Sequence, residues 1–280
     1  MLVFGKTGQV AQELAIARPD AVFLGRDAAD LSDPAACATA IETHQPSAVI
    51  NAAAYTAVDK AEEEEPLATI INGAAPGAMA KVCAAHGIPF VHISTDYVFD
   101  GSGEVPWKPD DATAPLGAYG RSKRAGEAAV MAAGGAYGIL RTSWVFSAHG
   151  GNFVKTMLRL SETRDRLTIV ADQVGGPTPA AGIAAACLRM AEGLTLDASK
   201  AGVYHYAGAP AVSWAAFARA IFAKAGRAVE VVDIPASDFP TPAKRPGNSR
   251  MDGASLAAAF GLPQADWDAA LDDVLNALAP

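Results

Sequence analysis

The chain opens on a short apolar run that leads directly into a glycine turn, and this feature constrains the fold most. Residues 2–4 (LVF) precede residues 5–11 (GKTGQVA), and helical sequence follows. Glycines at such a turn adopt dihedrals that other residues avoid, and they let the main chain approach a pyrophosphate at a helix N-terminus. The pattern Gly-x-x-Gly-x-x-Ala is one step from the dinucleotide fingerprint, because Ala11 is small enough for close helix-to-strand contact. The turn therefore predicts cofactor contacts at Gly5 and Thr7.

Short apolar runs continue to alternate with alanine-rich helical stretches along the chain. This alternation is typical of βαβ units and a parallel sheet. With 280 residues the chain is long enough for one large domain or two unequal ones. The sequence predicts an α/β fold with a Rossmann-type doubly wound parallel sheet. Predicted strands are 22–24, 48–50, 88–93 and 138–140, and predicted helices are 34–43, 66–86 and 120–133.

The second predicted strand ends about twenty residues after the first glycine, where a carboxylate normally binds the adenosine ribose of NAD. The chain reads Gly25-Arg26-Asp27 at this point. An arginine suits a 2′-phosphate, whereas Asp27 could take the ribose hydroxyls instead. We therefore predict NADPH as the cofactor through Arg26, with NADH as the alternative.

A third predicted strand leads into a run of small residues. Asn51 is followed by three alanines, which include Ala53 and Ala54. Small side chains at the carboxyl end of a strand are what a passing cofactor requires, and this predicts cofactor contacts there. The alternative is a helix N-cap followed by alanines.

A tyrosine and a lysine four residues apart predict an active site. Tyr119 and Lys123 fall on one face of a predicted helix, one turn from each other. A nearby positive charge favours phenolate, so we expect the pKa of Tyr119 to be lowered toward neutrality. Thr95, at the end of a predicted strand, could share the substrate oxygen. This trio suits reversible carbonyl reduction, although a surface tyrosine beside a solvated lysine has the same spacing.

Charge and composition exclude several classes of function. A net charge of −8 without a basic stripe argues against nucleic acid as a partner. The three cysteines and five histidines lack ligand spacing, so we expect buried cysteines and no metal. No signal peptide or long apolar span is found, which predicts a cytoplasmic protein without a membrane partner. The acidic run 62–65 is interpreted as a solvated, structural turn.

Six blocks of the sequence carry a resemblance that runs nearly from end to end. Taken together they closely resemble the dTDP-4-dehydrorhamnose reductase family, a group of extended short-chain dehydrogenases/reductases. The first and fourth blocks identify only the superfamily, whereas the second, third and sixth are specific to these reductases. The blocks are GKTGQV at 5–10, NAAAYTAVDKAE at 51–62, STDYVFDG at 94–101, YGRSK at 119–123, RTSWVF at 141–146 and RPGNSR at 245–250.

The resemblance implies NADPH-dependent reduction of the C4 ketone of dTDP-4-dehydro-L-rhamnose, which yields dTDP-L-rhamnose for cell-surface polysaccharide. It implies that Tyr119 donates the proton, that Lys123 lowers its pKa and binds the nicotinamide ribose, and that Thr95 holds the same oxygen. Substrate contacts fall on Asp96 and Trp144, although Trp144 could instead be a core aromatic. Further cofactor contacts fall on Gly8, Gln9, Val10, Asp30, Leu31, Ala54, Tyr55 and Thr56. A homodimer is compatible with the family.

The chain departs from the family pattern at its start. Only four residues precede Gly5, so we expect a short first strand that is weakly paired at its beginning. Ala11 replaces a glycine that many members have, and a methyl group should be tolerated there.

The family also implies a smaller C-terminal substrate-binding domain. We predict a cofactor domain over 1–145 with a helical return near 181–199, and a mainly substrate-binding part over 146–280. Arg245 is the candidate contact for the diphosphate, because a guanidinium pairs two phosphate oxygens at once. The alternative is a solvated basic loop.

Two other functions remain open at this stage. The first is a reductase of a different nucleotide-linked 4-keto-6-deoxysugar, with the same chemistry in a reshaped pocket. The second is a non-catalytic regulatory subunit that keeps the fold and binds NADP. The intact residues Thr95, Tyr119 and Lys123 argue against the second.

Overall fold

The computed structural model describes residues 1–279 as helices and strands around one large sheet. The strands are β1 Leu2–Phe4, β2 Val22–Leu24, β3 Val49–Asn51, β4 Phe90–Thr95, β5 Tyr137–Thr142, β6 Val145–Phe146, β7 Arg166–Val170, β8 Val174–Gly175, β9 Thr178–Pro179, β10 Gly202–His205, β11 Gly208–Ala209, β12 Val212–Ser213, β13 Glu230–Ile234, β14 Asn248–Ser249 and β15 Ala265–Asp266. The helices are α1 Gln9–Ala17, α2 Pro34–His44, α3 Glu65–Thr69, α4 Ala75–His86, α5 Ala118–Ala133, α6 Phe153–Ser161, α7 Ala180–Leu196, α8 Trp214–Lys224, α9 Ala254–Phe260 and α10 Trp267–Leu278.

Six parallel strands form the large sheet in the order β10-β5-β4-β3-β1-β2. The strand order reverses beside β1, because the chain leaves β1 for β2 on one side and returns to β3 on the other. In such sheets ligands bind at the carboxyl ends of the strands, next to this reversal. The predicted doubly wound Rossmann sheet is confirmed.

The first strand shows how both faces of the sheet are covered. Leu2 and Phe4 point into a core with α2, α4 and α5, whereas Val3 points into a second core with α1, α7 and α9. Burial on both faces explains why the strands read as continuous apolar runs. The strand is only three residues long, as expected, but it pairs with β2 and β3 from Leu2 onward. The expectation of weak pairing at its start was wrong.

The helix predicted over 66–86 contains a π-helical turn, Ile70–Ala74, between α3 and α4. One consequence is that Asn72 faces inward, where its side chain bonds to Tyr55 and Ser122. The combined run Glu65–His86 is long and apolar enough to cross a membrane by length and composition. Our expectation that no such run exists was therefore wrong. Half of the run is buried in this fold, and its helices pack against α2 and α5.

The C-terminal part has a core of its own. Phe146, Phe217, Ile221, Trp267 and Leu271 are buried together between α6, α8 and α10. The chain returns to the large sheet in between, because α7 packs on α1 and β10 adds the last parallel strand beside β5. The two parts therefore interleave along the sequence.

Candidate active site

The Tyr119 and Lys123 pair lies near the start of helix α5, beside the carboxyl end of β4. Lys123 is 2% exposed, whereas Tyr119 keeps part of its surface accessible. Thr95 ends β4 and is in contact with Tyr119. The structure therefore brings the three predicted catalytic residues together at the edge of the sheet where parallel α/β folds bind ligands.

The predicted effect of Lys123 on Tyr119 is not observed in this structure. Burial raises the pKa of Tyr119 to about 12, the Thr95 hydroxyl opposes the rise, and the Asp96 carboxylate adds to it. Lys123 Nζ instead donates to the Ile93 carbonyl at 2.6 Å. Burial lowers the pKa of Lys123 to about 8. The expectation of a lowered pKa for Tyr119 was wrong here, because desolvation acts on both groups and the lysine bonds elsewhere.

Asp96 is buried directly behind the site. Its carboxylate accepts a hydrogen bond from the Thr95 hydroxyl at 2.9 Å and another from the hydroxyl of Ser249 on β14. Burial raises the pKa of Asp96 to about 6, although both hydroxyls oppose the rise. The contact with Ser249 ties the end of β4 to the C-terminal part of the chain.

The acidic run 62–65 positions the catalytic helix. Helix α5 starts after Gly117, which offers no capping side chain, and the Ala118 N–H donates instead to Glu62 Oε1 at 2.8 Å. Glu65 binds the Arg121 guanidinium through two hydrogen bonds of 2.7 and 2.8 Å. A carboxylate at a helix N-terminus satisfies free N–H groups and matches the helix dipole. The run is partly solvated, as predicted, and two of its carboxylates also bind helix α5.

Two glycines let α5 lie directly against other backbone segments. A Cβ at Gly120 would overlap the Tyr97 carbonyl, and one at Gly126 would overlap the Asn72 carbonyl. Only glycine is compatible with these close approaches. The position of the helix that carries Tyr119 is therefore set by main-chain contact.

The glycine turn at the N-terminus fits a dinucleotide. Gly5 has φ +114°, and a Cβ there would crowd the backbone of Ala52 and Ala53. A Cβ at Gly8 would meet nothing within 4 Å, and α1 begins there without a capping side chain. Such an open helix start, with free N–H groups, is suited to a pyrophosphate. Thr7 lies within this turn, and the carbonyl of this residue accepts from the Gln12 side chain.

The next cofactor candidates lie at the start of α1 and in the segment that follows β2. The Gln9 amide bonds to Asn152 at 2.9 Å, and Val10 is buried in the core. Leu31 is buried, while Asp30 accepts the Ser32 N–H. Arg26 is exposed in the turn after β2.

The small-residue run after β3 lies next to the catalytic helix. Tyr55 and Tyr119 pack against one alanine cluster, and Asn72 bridges the Tyr55 backbone to Ser122. Ala53, Ala54 and Thr56 lie on the same segment. The segment that was predicted to contact the cofactor is therefore held beside the helix that carries Tyr119 and Lys123.

Arg245 is not a free cation. Its Nη1 and Nη2 donate to the two Asp59 carboxylate oxygens at 2.9 and 2.8 Å, and Nη1 also donates to the Ala243 carbonyl at 3.0 Å. Among residues 1–279, nothing accepts a hydrogen bond from Nε or from the second Nη2 proton, and these two N–H groups lie on one edge of the guanidinium. A second oxyanion fits that edge, because two parallel N–H groups bind oxygens bidentately.

Trp144 has an unusual backbone and a stacked ring. Its φ is +49°, a value that non-glycine residues rarely adopt. The ring stacks on Trp214 with centroids 3.5 Å apart and an interplanar angle of 11°. Strained conformations of this kind occur at functional sites when the surroundings impose them.

Several residues of the site were missed by sequence reasoning. Asp59, Ser249, His92 and Trp214 each contact a predicted residue from a distant part of the chain. Asp59 and Ser249 lie inside family-specific blocks, so those blocks carried a signal for them. His92 and Trp214 had no spacing pattern of their own.

The three cysteines are free and buried, as the sequence predicted. Burial raises the pKa of their thiols. Among residues 1–279, no group of three or more His, Cys, Asp or Glu side chains could hold a metal ion.

The Rossmann sheet, the glycine turn and the Tyr119, Lys123 and Thr95 trio define an oxidoreductase of the short-chain dehydrogenase/reductase class. The RmlD substrate binding domain family matches residues 1–279, and this chain belongs to that family. The dTDP-4-dehydrorhamnose reductase of Sinorhizobium fredii is 45% identical over 278 residues, which cover 96% of this chain and 94% of the relative.

Solved structures agree with this assignment. The dTDP-4-dehydrorhamnose reductase of Clostridium acetobutylicum superposes with a TM-score of 0.92 at 35% identity, covering 99% of this chain and 98% of that one. The enzyme from Bacillus anthracis, in complex with NADP, gives a TM-score of 0.90 at 32% identity and covers 98% of each chain. The resemblance inferred from the six sequence blocks is confirmed.

Proposed function

We propose that this chain reduces the C4 ketone of dTDP-4-dehydro-L-rhamnose with NADPH to give dTDP-L-rhamnose. The observation that carries the proposal is the placement of Tyr119, Lys123 and Thr95 together at the carboxyl edge of the sheet, beside the glycine turn. Relatives that match this chain over nearly its whole length are named dTDP-4-dehydrorhamnose reductase, which supports the proposal. NADPH, with NADH as the alternative, supplies the hydride when bound.

Tyr119 donates its phenol proton to the C4 oxygen in this proposal. The raised pKa of about 12 keeps the phenol protonated at neutral pH, so a proton is available as charge builds on the oxygen. The single Thr95 proton points at Asp96 in this structure, so the hydroxyl must rotate before it can donate to the substrate oxygen. Trp144 offers a flat apolar face to the deoxysugar, and the free edge of Arg245 is the proposed contact for the diphosphate.

The cofactor contacts are proposed on the same grounds. Gly5, Thr7, Gly8, Gln9 and Val10 would hold the pyrophosphate at the start of α1. Lys123 would bind the nicotinamide ribose, and Arg26 the 2′-phosphate of NADPH. The remaining proposed contacts are Asp30, Leu31, Ala53, Ala54, Tyr55 and Thr56 along the same edge of the sheet.

We also propose a cytoplasmic location, because NADPH and nucleotide sugars are made in the cytoplasm. A homodimer and the absence of a membrane partner stay predictions. Light scattering during gel filtration of the purified protein tests the first of them.

Replacing Tyr119 with Phe tests the catalytic assignment. We expect kcat to fall roughly 100- to 10,000-fold, the usual contribution of a positioned proton donor, while NADPH binding stays near normal. Turnover is followed by NADPH oxidation with the dTDP-linked ketone, and cofactor binding by fluorescence. Tyr137 begins β5 and so lies at the amino end of the strands, opposite the candidate site. Tyr137→Phe is the control and should keep full activity. A Tyr119→Phe enzyme with normal kcat would refute the assignment.

Replacing Arg26 with Ala tests cofactor preference. Loss of one charge-assisted phosphate contact should raise KM for NADPH about 10- to 100-fold and leave KM for NADH unchanged. Arg164→Ala, another exposed arginine, should change neither value. Equal use of both cofactors by wild type and Arg26→Ala would remove Arg26 from the cofactor site.

A further inference from the structure

His92 lies between Asn51 and Lys123 inside the protein. His92 and Asn51 are register partners on β4 and β3, and His92 Nδ1 lies 3.1 Å from Asn51 Nδ2. On the other side of the ring, His92 Nε2 lies 3.2 Å from Lys123 Nζ. All three side chains are 0–2% exposed. Each polar atom must therefore find its partner among these neighbours.

The Asn51 amide fixes the tautomer of the ring. Asn51 Oδ1 accepts the Ala53 N–H at 3.2 Å, so the amide nitrogen faces His92. That nitrogen only donates, and His92 Nδ1 must accept. Complete burial holds the pKa of His92 well below its ordinary value, so the ring is neutral. Its single proton is then on Nε2 and points at Lys123.

An ammonium at Lys123 does not fit this arrangement. It would direct N–H donors at an Nε2 that already carries a proton. Moving the ring proton to Nδ1 would place it against the Asn51 donor and leave a buried donor unsatisfied, which is unfavourable. An uncharged amine fits, because its lone pair accepts from His92 Nε2 while its N–H groups donate to the Ile93 carbonyl at 2.6 Å.

We propose that His92 and Asn51 are positioning residues that weaken proton binding at Lys123, so that this lysine can exchange its proton during turnover. Each reduction transfers the Tyr119 proton to the substrate oxygen and leaves a phenolate. To return a proton to that phenolate, the Lys123 ammonium must leave the Ile93 carbonyl and reach Tyr119, one helical turn away; after losing the proton it is the amine that His92 stabilises. Solvent then reprotonates the amine. The consequence for turnover rests on the proposed function, but the hydrogen bonding does not.

Other charges around α5 do not replace this effect. Glu127, one turn beyond Lys123, favours the ammonium, but its carboxylate already pairs with Arg141 from β5. The pKa of Lys123 is lowered despite Glu127, mainly by burial. Other acidic and basic side chains on or next to the elements packed against α5 are engaged elsewhere or exposed: Asp96 with Ser249, Glu62 with the Ala118 N–H, Glu64 with Lys60, Glu65 with Arg121, and Lys81 and His86 at the surface. Tyr97 and Cys83 are uncharged, because burial raises the pKa of both groups.

The charge of Lys123 can be measured directly by ¹⁵N NMR titration of its Nζ in the ligand-free protein, with the signal assigned by Lys123→Arg. The test variant is His92→Gln, which exchanges one neutral residue for another and offers an amide oxygen to the ammonium. We expect the midpoint to rise by at least about one pH unit, a tenfold tighter proton binding. His205→Gln is the matched control, because His205 is equally buried but bonds to Arg141 and Trp107. It should leave the midpoint unchanged.

A second variant keeps the test decisive if His92→Gln does not fold. Asn51→Asp retains the shape and the Ala53 contact but replaces the donor that faces His92 with an acceptor, so the midpoint should again rise. An unchanged midpoint in the folded variants, even with lower stability, would overturn the proposal and leave His92 a structural residue. A wild-type protein that reduces no dTDP-linked ketone would refute the proposed function without affecting this titration.

Discussion

Two bidentate arginine–carboxylate pairs flank the candidate site, and they differ both in burial and in the guanidinium edge that binds the carboxylate: Nε and Nη2 in Arg141, Nη1 and Nη2 in Arg245. Arg141 binds Glu127 with two contacts of 2.8 Å, and the side chains are 4% and 0% exposed. Arg245 binds Asp59 with contacts of 2.9 and 2.8 Å, and the side chains are 27% and 42% exposed. The first pair is closed to ligands, whereas the second keeps one edge of its guanidinium open. Burial and contact geometry together distinguish the Arg141 pair, which supports the fold, from the Arg245 pair, which can also bind a ligand.

Breaking the buried pair should give the largest effect. Arg141→Met leaves the Glu127 carboxylate buried without its cation, which should lower the free energy of unfolding by about 3–5 kcal/mol. Denaturant titration at pH 7 measures this loss. The control is Arg219→Met, which breaks an equally short but exposed pair with Asp233 and should change stability by less than about 1 kcal/mol. Similar losses in both variants would remove burial as the difference between the pairs.

Asp96 is a second buried carboxylate beside the candidate site, but its partner is the Ser249 hydroxyl and not an arginine. It also joins β4 to the C-terminal part of the chain. Burial raises the pKa of Asp96 to about 6, above its unfolded value near 3.8, so the folded protein holds this proton more tightly. Its contribution to stability must then fall as pH rises from about 4 to about 6. The buried neutral His205, with its pKa lowered to about 3, acts in the opposite direction.

Comparing wild type with Asp96→Asn isolates this effect, because the histidines cancel. Over pH 4–6 the difference in unfolding free energy should change by roughly 2 kcal/mol, with wild type losing stability relative to the variant as pH rises. Denaturant titrations across that window measure it. Asp110→Asn, the same substitution at an exposed aspartate, is the control. A constant difference for Asp96→Asn would contradict the inferred cost of burying this carboxylate.

Breaking the exposed pair should have the smallest effect on stability but a specific effect on binding. Asp59→Asn should change the free energy of unfolding by less than about 1 kcal/mol, since both partners are partly solvated. It should raise KM for the dTDP-linked substrate several-fold with little change in kcat, because the Arg245 guanidinium loses the carboxylate that orients it. Glu230→Gln, in the exposed pair with Arg166, is the control. An unchanged KM would argue against a binding role for Arg245.

Local patterns predicted the fold well because they report on the burial of consecutive residues. The apolar runs and the glycine turn gave the strands, the parallel sheet and the helix that carries Tyr119 and Lys123. The π-helical turn at Ile70–Ala74 was not predictable, because it depends on the contacts of Asn72 with Tyr55 and Ser122. Periodicity carries no information about such distant partners.

Sequence reasoning predicted residues that the structure brings together, but it did not predict their charge states. Thr95, Tyr119 and Lys123 were found from spacing and from the family blocks. The direction of the Tyr119 pKa was wrong because spacing along a helix says nothing about desolvation, or about competing partners such as the Ile93 carbonyl. Arg245 was likewise identified as a cation, but its orientation depends on Asp59, which is distant in sequence.

Helix α5 approaches neighbouring backbone closely only because Gly120 and Gly126 have no side chains. The position of the Tyr119 phenol relative to a bound substrate therefore depends on these two glycines. A single methyl group at either position would push the helix away from the Tyr97 or Asn72 carbonyl. A displacement of about an ångström at a reacting group can cost about 100-fold in rate. Substitutions at these two glycines would therefore lower the rate although no functional group had been removed.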